Sequence, residues 1–183
     1  MTRDELEHAI RAACDVAGDT AVYVFGSQAI LGQYPDAPPD LRQSIEVDVA
    51  PQTRLDRVDA IDGSLGELSQ FHTTFGFYVH GLSIDAATLP TGWERRVIRV
   101  CNAATLGKTG LCLEGHDLAA SKLAAFRDKD RDFVRVLLKE GLIRARTLIR
   151  RIGTLDLADP ERRRLREWVS LTAAELIAPP RQV

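Results

Sequence analysis

Two short segments constrain the fold of this chain more than any other feature of its sequence. The apolar run at residues 22–25 ends at Gly26 and Ser27, which predicts a strand followed by a tight turn. After eighteen intervening residues, Glu46 and Asp48 alternate with valines. Because side chains on a strand alternate between faces, both carboxylates should project from the same face of a second strand.

Two like charges side by side are unfavourable unless a positive charge lies between them, and a divalent cation is the usual solution. Gly26 lets a phosphate approach the backbone closely, and Ser27 adds a hydroxyl donor at the same point. Either motif alone is common in turns or on solvated strands. Their ordered combination favours a metal-dependent nucleotidyl-transfer site, with Glu46 and Asp48 as ligands of Mg²⁺ or Mn²⁺ and a nucleoside triphosphate (NTP) as substrate.

Length and composition restrict the class of protein. The 183 residues are 45% hydrophobic and 27% charged, as expected for one globular domain with a helical extension. No apolar run reaches the roughly 20 residues that cross a bilayer, and the acidic N-terminus does not resemble a signal peptide. We therefore expect a cytoplasmic protein without a membrane partner. The three widely spaced cysteines are expected to be reduced thiols rather than zinc ligands.

The net charge of −2 hides a strong asymmetry along the chain. Residues 1–120 contain 9 basic and 17 acidic residues, whereas residues 121–166 contain 14 basic and 7 acidic residues. The balance of +7 in the second segment favours a polyanionic partner such as RNA. A solvated helix face with ordinary ion pairs would give the same pattern, so both interpretations stay open here.

The hydrophobic pattern predicts an α+β fold in which a sheet with flanking helices precedes an all-helical tail. A capping box of Thr2 and Glu5 begins a helix that ends before Gly18. Strands are predicted at residues 21–25, 45–50, 75–81 and 97–102, with an edge strand at 111–113. Helices are predicted near residue 28, at 53–69 with an interruption at Gly63, and at 117–126, 130–140, 143–152 and from 159 onward.

Several motifs together resemble the DUF6036 group of minimal nucleotidyltransferase-fold proteins, which are related to the AbiEii and MenT toxins of toxin–antitoxin systems. The resemblance covers roughly residues 20–142. The matching segments are Gly26-Ser27-Gln28-Ala29-Ile30-Leu31-Gly32, Pro35-Asp36-Ala37-Pro38, Ser44-Ile45-Glu46-Val47-Asp48, Ile61-Asp62-Gly63-Ser64-Leu65-Gly66-Glu67, Phe71-His72, Leu89-Pro90-Thr91-Gly92-Trp93, His116-Asp117-Leu118-Ala119-Ala120-Ser121-Lys122-Leu123 and Arg127-Asp128-Lys129-Asp130.

The resemblance implies a nucleotidyltransferase-fold core at residues 1–115 and a helical part at 116–183. It further implies an enzyme that transfers nucleotides to RNA, most plausibly the 3′ end of tRNA, and that acts as a toxin with a cognate antitoxin as partner. Transfer of AMP to a protein and a catalytically inactive interaction protein are the alternatives. The implied site residues, beyond Glu46 and Asp48, are Gly26, Ser27, Gln28, Arg127 and Lys129 for substrate binding and Lys122 and Asp130 for catalysis.

Some assignments have competing interpretations. Asp85 follows the third predicted strand and is a candidate third metal ligand, although a loop aspartate that stabilises a local turn fits equally well. Asp132 is the rival of Asp130. His72 and His116 also fall in matching segments, and a packing role is favoured for both.

Overall fold

The computed structural model describes residues 1–177, which belong to two compact units. The first unit consists of Met1–Ala87 and Trp93–Glu114. The second consists of Thr88–Gly92 and of the chain from Gly115 onward. The prediction of an α+β fold is confirmed: the described residues contain a five-stranded mixed sheet and eight α-helices.

The first unit is built on the sheet. Its strands are β1 (Ala21–Val24), β2 (Glu46–Pro51), β3 (Tyr78–Gly81), β4 (Ile98–Val100) and β5 (Thr109–Cys112). They lie in the order β3-β2-β1-β5-β4. Strand β2 is antiparallel to β1 and parallel to β3, β1 is parallel to β5, and β4 and β5 are antiparallel.

Four helices belong to the first unit: α1 (Arg3–Ala17), α2 (Ile30–Gln33), α3 (Val58–Leu65) and α4 (Gln70–Phe75). The capping box predicted at Thr2 and Glu5 is present, and Gly18 ends α1 in the left-handed conformation. The buried face of α1 includes Leu6 and Ile10, which are fully inaccessible. This helix supplies much of the apolar surface that covers the sheet.

Three predictions for this unit are wrong, for different reasons. Helix α3 passes through Gly63 and ends at Gly66, where a Cβ atom would lie 2.2 Å from the carbonyl oxygen of Asp62. Strand β3 begins at Tyr78 because the preceding residues form α4 and a left-handed turn at Gly76. The strand predicted at an edge is β5, which pairs on both sides and is completely buried.

The second unit contains α5 (Gly115–Ala125), α6 (Asp128–Lys139), α7 (Ala145–Ile152) and α8 (Asp159–Ile177). The helices predicted in this part of the chain are therefore present. The left-handed Gly141 separates α6 from α7, as expected for a helix-ending glycine. The core of the unit is apolar, and its fully buried side chains include Leu118, Leu123, Leu137, Leu148 and Ile152. Within residues 1–177, no helix is both long and apolar enough to cross a membrane.

Candidate metal centre

The end of β1 lies directly against the acidic strand β2. The backbone N–H of Phe25 donates a hydrogen bond to the carbonyl oxygen of Asp48 over 3.2 Å, one step beyond the last paired residues of the two strands. A Cβ atom on Gly26 would lie 1.8 Å from Oδ2 of Asp48. The backbone of Gly26 is extended, with φ −77°, so any residue could adopt its conformation. Glycine is needed at this position because the carboxylate of Asp48 fills the space.

The two carboxylates of β2 share one face of the strand. Val47 and Val49 are fully buried, whereas Glu46 and Asp48 are partly exposed. This alternation confirms the prediction made from the sequence pattern.

A third residue, His80, completes the cluster. Strand β3 is parallel to β2 and pairs His80 with Asp48. The Nδ1 atom of His80 lies 2.9 Å from Oε1 of Glu46 and 3.4 Å from Oδ1 of Asp48. Sequence reasoning missed this histidine. The alternation of Tyr78, Val79 and His80 was a signal for its face, but only the strand register puts it beside Asp48.

Helix α3 reaches the other side of the His80 ring. The Nε2 atom of His80 lies 4.0 Å from Oδ1 of Asp62. Gly81 makes this arrangement possible, since a Cβ atom there would lie 2.4 Å from the carbonyl oxygen of Val58 in the same helix. The backbone of α3 therefore packs directly on β3, and this close packing holds Asp62 near the imidazole.

The surroundings of Tyr78 indicate that this face of the sheet is electronegative. Burial raises the pKa of Tyr78, and the negative charges of Glu46, Glu67 and Asp48 raise it further. The Tyr78 hydroxyl also hydrogen-bonds to Glu46. Several acids thus act on one place, which favours the binding of a cation.

The donor atoms fit a divalent metal ion. Glu46, Asp48 and His80 each offer one ligand atom, and these atoms all lie within 4.8 Å of one another. Two carboxylate oxygens and one imidazole nitrogen form a donor set that binds divalent ions in many proteins. The arrangement can hold an ion beside the turn at Gly26.

The other residues predicted in the first unit have different environments. Ser27 begins a 3₁₀ turn, Ser27–Ala29, and is partly exposed. Gln28 is fully buried, and neither atom of its side-chain amide has a hydrogen-bond partner among the described residues. Asp85 is exposed in a 3₁₀ turn after β3, where it interacts with Ser83. Among residues 1–177, the group of side chains that could hold a metal ion does not include Asp85.

The second unit holds the other predicted site residues, and three of them form one cluster. Asp130 is fully buried and accepts hydrogen bonds from Nε of Arg127 at 2.6 Å and from Nζ of Lys122 at 3.4 Å. Burial alone would raise the pKa of Asp130, but the hydrogen bond from Arg127 and the charges of both cations outweigh burial and lower it. Lys129 and Asp132 are exposed. The structure therefore groups Lys122 with Asp130 rather than with Asp132.

The two histidines of the matching segments form hydrogen bonds to the backbone. Nδ1 of His72 accepts from the N–H of Leu68 at 3.1 Å. Nε2 of His116 accepts from the N–H of Arg144 at 2.9 Å. These contacts agree with the packing role favoured for both side chains.

Comparisons of this chain with protein-family models, with curated proteins and with solved structures found no match.

Proposed function

We propose that this chain is a metal-dependent nucleotidyltransferase that transfers nucleotides from an NTP to an RNA hydroxyl. The single observation that carries the proposal is the contact between Gly26 of the glycine-serine turn and Asp48 of the acidic pair, with His80 alongside. The resemblance described above adds the expectations that the acceptor is the 3′ end of tRNA and that the protein is a toxin with a cognate antitoxin.

Each residue at the turn has a role that follows from its chemistry. Glu46 and Asp48 would hold the cation, which when bound supplies charge stabilisation for phosphate oxygens. The hydroxyl of Ser27 would donate a hydrogen bond to the triphosphate, and Gly26 lets the Asp48 carboxylate lie directly beside this turn. Either carboxylate can accept the proton of the attacking hydroxyl. A new bond forms between that oxygen and the α-phosphorus, the bond to the β-phosphate bridging oxygen breaks, and pyrophosphate leaves.

RNA as the acceptor is supported by the arginines of the second unit. Arg151 lies 2.9 Å from the carboxylate of buried Asp117, so this arginine stabilises the unit itself. Arg163 and Arg166, in contrast, are exposed and form no ion pair within residues 1–177. They line an open groove with Gly153, Asp159 and Arg162. These two exposed guanidinium groups, whose charges act at longer range on Asp159, lie beside one groove and are suited to the phosphates of an RNA backbone.

The experiment is a transfer assay with each labelled NTP, total RNA and either Mg²⁺ or Mn²⁺, with a parallel reaction that contains protein and no RNA. Wild-type protein should label RNA. Asp48→Asn should abolish the label because it removes one charge from the metal-binding pair. Lys122→Ala should reduce transfer by about 10²-fold, the size of effect that follows loss of one electrostatic stabiliser.

Asp59→Asn is the matched control because Asp59 is an exposed acid on α3 outside the cluster. This variant should label RNA at the wild-type rate. A labelled protein in place of labelled RNA would replace the proposal with AMP transfer to a protein. Absence of label in every reaction, with metal and NTP binding also absent, would identify an inactive interaction protein.

A further inference from the structure

We propose that His80 is the third protein ligand of the metal centre and that its nitrogen donor makes the site select a first-row transition ion, such as Mn²⁺, over Mg²⁺. This inference rests on the proposed use of Glu46 and Asp48 as metal ligands. His80 takes the place of the third metal ligand, for which the sequence had suggested Asp85.

The geometry around Nδ1 is the first support. This nitrogen is 2.9 Å from a Glu46 oxygen and 3.4 Å from an Asp48 oxygen, so three potential ligand atoms converge from two hydrogen-bonded strands. Strand positions hold side chains more precisely than loops do. Asp85, on its exposed turn, is hydrogen-bonded to Ser83 instead.

The position of Asp62 is the second support. Histidines that bind metals usually direct their other ring N–H at a carboxylate or a carbonyl oxygen, which fixes the tautomer and the ring orientation. Nε2 of His80 faces Asp62 at 4.0 Å, an ion-pair distance that is longer than a hydrogen bond. A proton on Nε2 leaves the lone pair of Nδ1 directed at the two acids, where a metal ion would receive it.

The choice of ion follows from the donor set. Mg²⁺ prefers six oxygen ligands and gives up its water reluctantly. Imidazole nitrogen is a softer donor, and at sites with mixed nitrogen and oxygen ligands affinity rises from Mn²⁺ to Co²⁺ along the first-row series. A cluster of two carboxylates and one histidine should therefore bind Co²⁺ more tightly than Mn²⁺ and both more tightly than Mg²⁺.

The test is calorimetric titration of the full chain with MnCl₂, CoCl₂ or MgCl₂ alone, without nucleotide. Wild type should bind Mn²⁺ at least about tenfold more tightly than Mg²⁺. Asp62→Asn should weaken Mn²⁺ binding by about tenfold, the lower end of the range for outer-shell partners. His80→Ala, which removes the ligand itself, should weaken Mn²⁺ binding by a larger factor and leave Mg²⁺ binding nearly unchanged. His80→Asp, which replaces the imidazole with a third carboxylate, should bring the affinities for Mg²⁺ and Mn²⁺ together.

Spin-echo spectroscopy of bound Mn²⁺ provides a direct second measurement. A coordinated imidazole nitrogen modulates the echo, and this modulation should disappear in His80→Asp. Circular dichroism of each variant verifies that it is folded. Asp59→Asn, the exposed acid on α3, is the control and should bind Mn²⁺ as wild type does.

Four results would overturn the inference: unchanged Mn²⁺ affinity in His80→Ala, no nitrogen modulation in wild type, tighter binding of Mg²⁺ than of Mn²⁺, or loss of Mn²⁺ binding in Asp85→Asn. If no ion binds wild type, His80 is only an ion-pair partner of the two acids.

The metal selectivity and the proposed function can be refuted independently of each other. Mn²⁺ binding through His80 without nucleotide transfer would refute only the function, and Mg²⁺-preferring transfer that is unaffected by His80→Ala would refute only the inference.

Discussion

Replacing Gly26 with alanine should damage the metal centre far more than the fold. The new Cβ atom would lie 1.8 Å from Oδ2 of Asp48, and also 2.7 Å from its Cγ and 2.9 Å from its Cβ. To restore ordinary contact the carboxylate must retreat by roughly 1.5 Å. Because Cβ of Asp48 is also too close, rotation of the side chain alone does not relieve the clash, and the strands must shift slightly.

The expected cost in stability is that of overpacking, about 1–3 kcal/mol. The expected cost in nucleotide transfer is about 10²-fold or more, since a displacement of about 1 Å at a reacting centre has an effect of this size. Urea unfolding measures the first quantity, and the transfer assay with calorimetric Mn²⁺ titration measures the second. The backbone conformation of Gly26 adds no cost, since its φ of −77° suits alanine.

Gly63→Ala is the matched control. Gly63 lies inside α3 with nothing within 4 Å of the added Cβ atom, so alanine there should stabilise the protein by about 0.5–1 kcal/mol and leave transfer unchanged. Wild-type Mn²⁺ affinity and transfer in Gly26→Ala would refute the reasoning. Such a result would mean that Asp48 does not need its position against the turn.

Two further predictions concern the second unit. Asp130→Asn removes the carboxylate that holds two cations and should lower the free energy of unfolding by about 1.5–3 kcal/mol at pH 7. Because the pKa of Asp130 is lowered in the folded protein, the stability it adds is complete above the ordinary carboxyl pKa of 3.8 and is lost as the pH falls below that value. Urea unfolding at pH 7 and pH 3 should thus show a shrinking difference between wild type and variant, and a constant difference would contradict this. Reversing both Arg163 and Arg166 to glutamate should weaken RNA binding and flatten its log–log salt dependence by about 1.4–1.8. Reversing the exposed Arg95 and Arg99 of the first unit changes the charge equally and should leave RNA binding nearly unaffected, and equal effects of the two reversals would refute the groove as the RNA site.

Local patterns predicted most of the secondary structure because the relevant physics is local. The capping box at Thr2 and the valines that alternate with Glu46 and Asp48 depend on neighbouring residues, and both features are present. The interruption predicted at Gly63 failed because glycine costs a helix interior only about 1 kcal/mol, which packing readily offsets. The end of α3 instead depends on a close contact between Gly66 and Asp62, which composition does not reveal.

The third member of the candidate metal centre could not be predicted from the sequence, for a different reason. His80 lies beside Asp48 because β2 and β3 are parallel and in one particular register, and register is a property of two distant segments. The sequence suggested Asp85 because it is an acid that follows the third predicted strand. Likewise, β5 could be recognised as apolar, but its insertion between β1 and β4 depends on the packing of the whole sheet.

The parallel pairing of β1 with β5 has a consequence for the order of folding. Residues 21–24 pair with residues 109–112, so the centre of the sheet joins segments that are far apart in the chain. Closing such a long loop is slow, and contacts of this kind reduce folding rates. During synthesis, β1 has an unpaired apolar edge until residue 112 has left the ribosome, and a chain that stops earlier keeps this edge open to association with other strands. The first unit therefore completes its sheet only after residue 112 has been made.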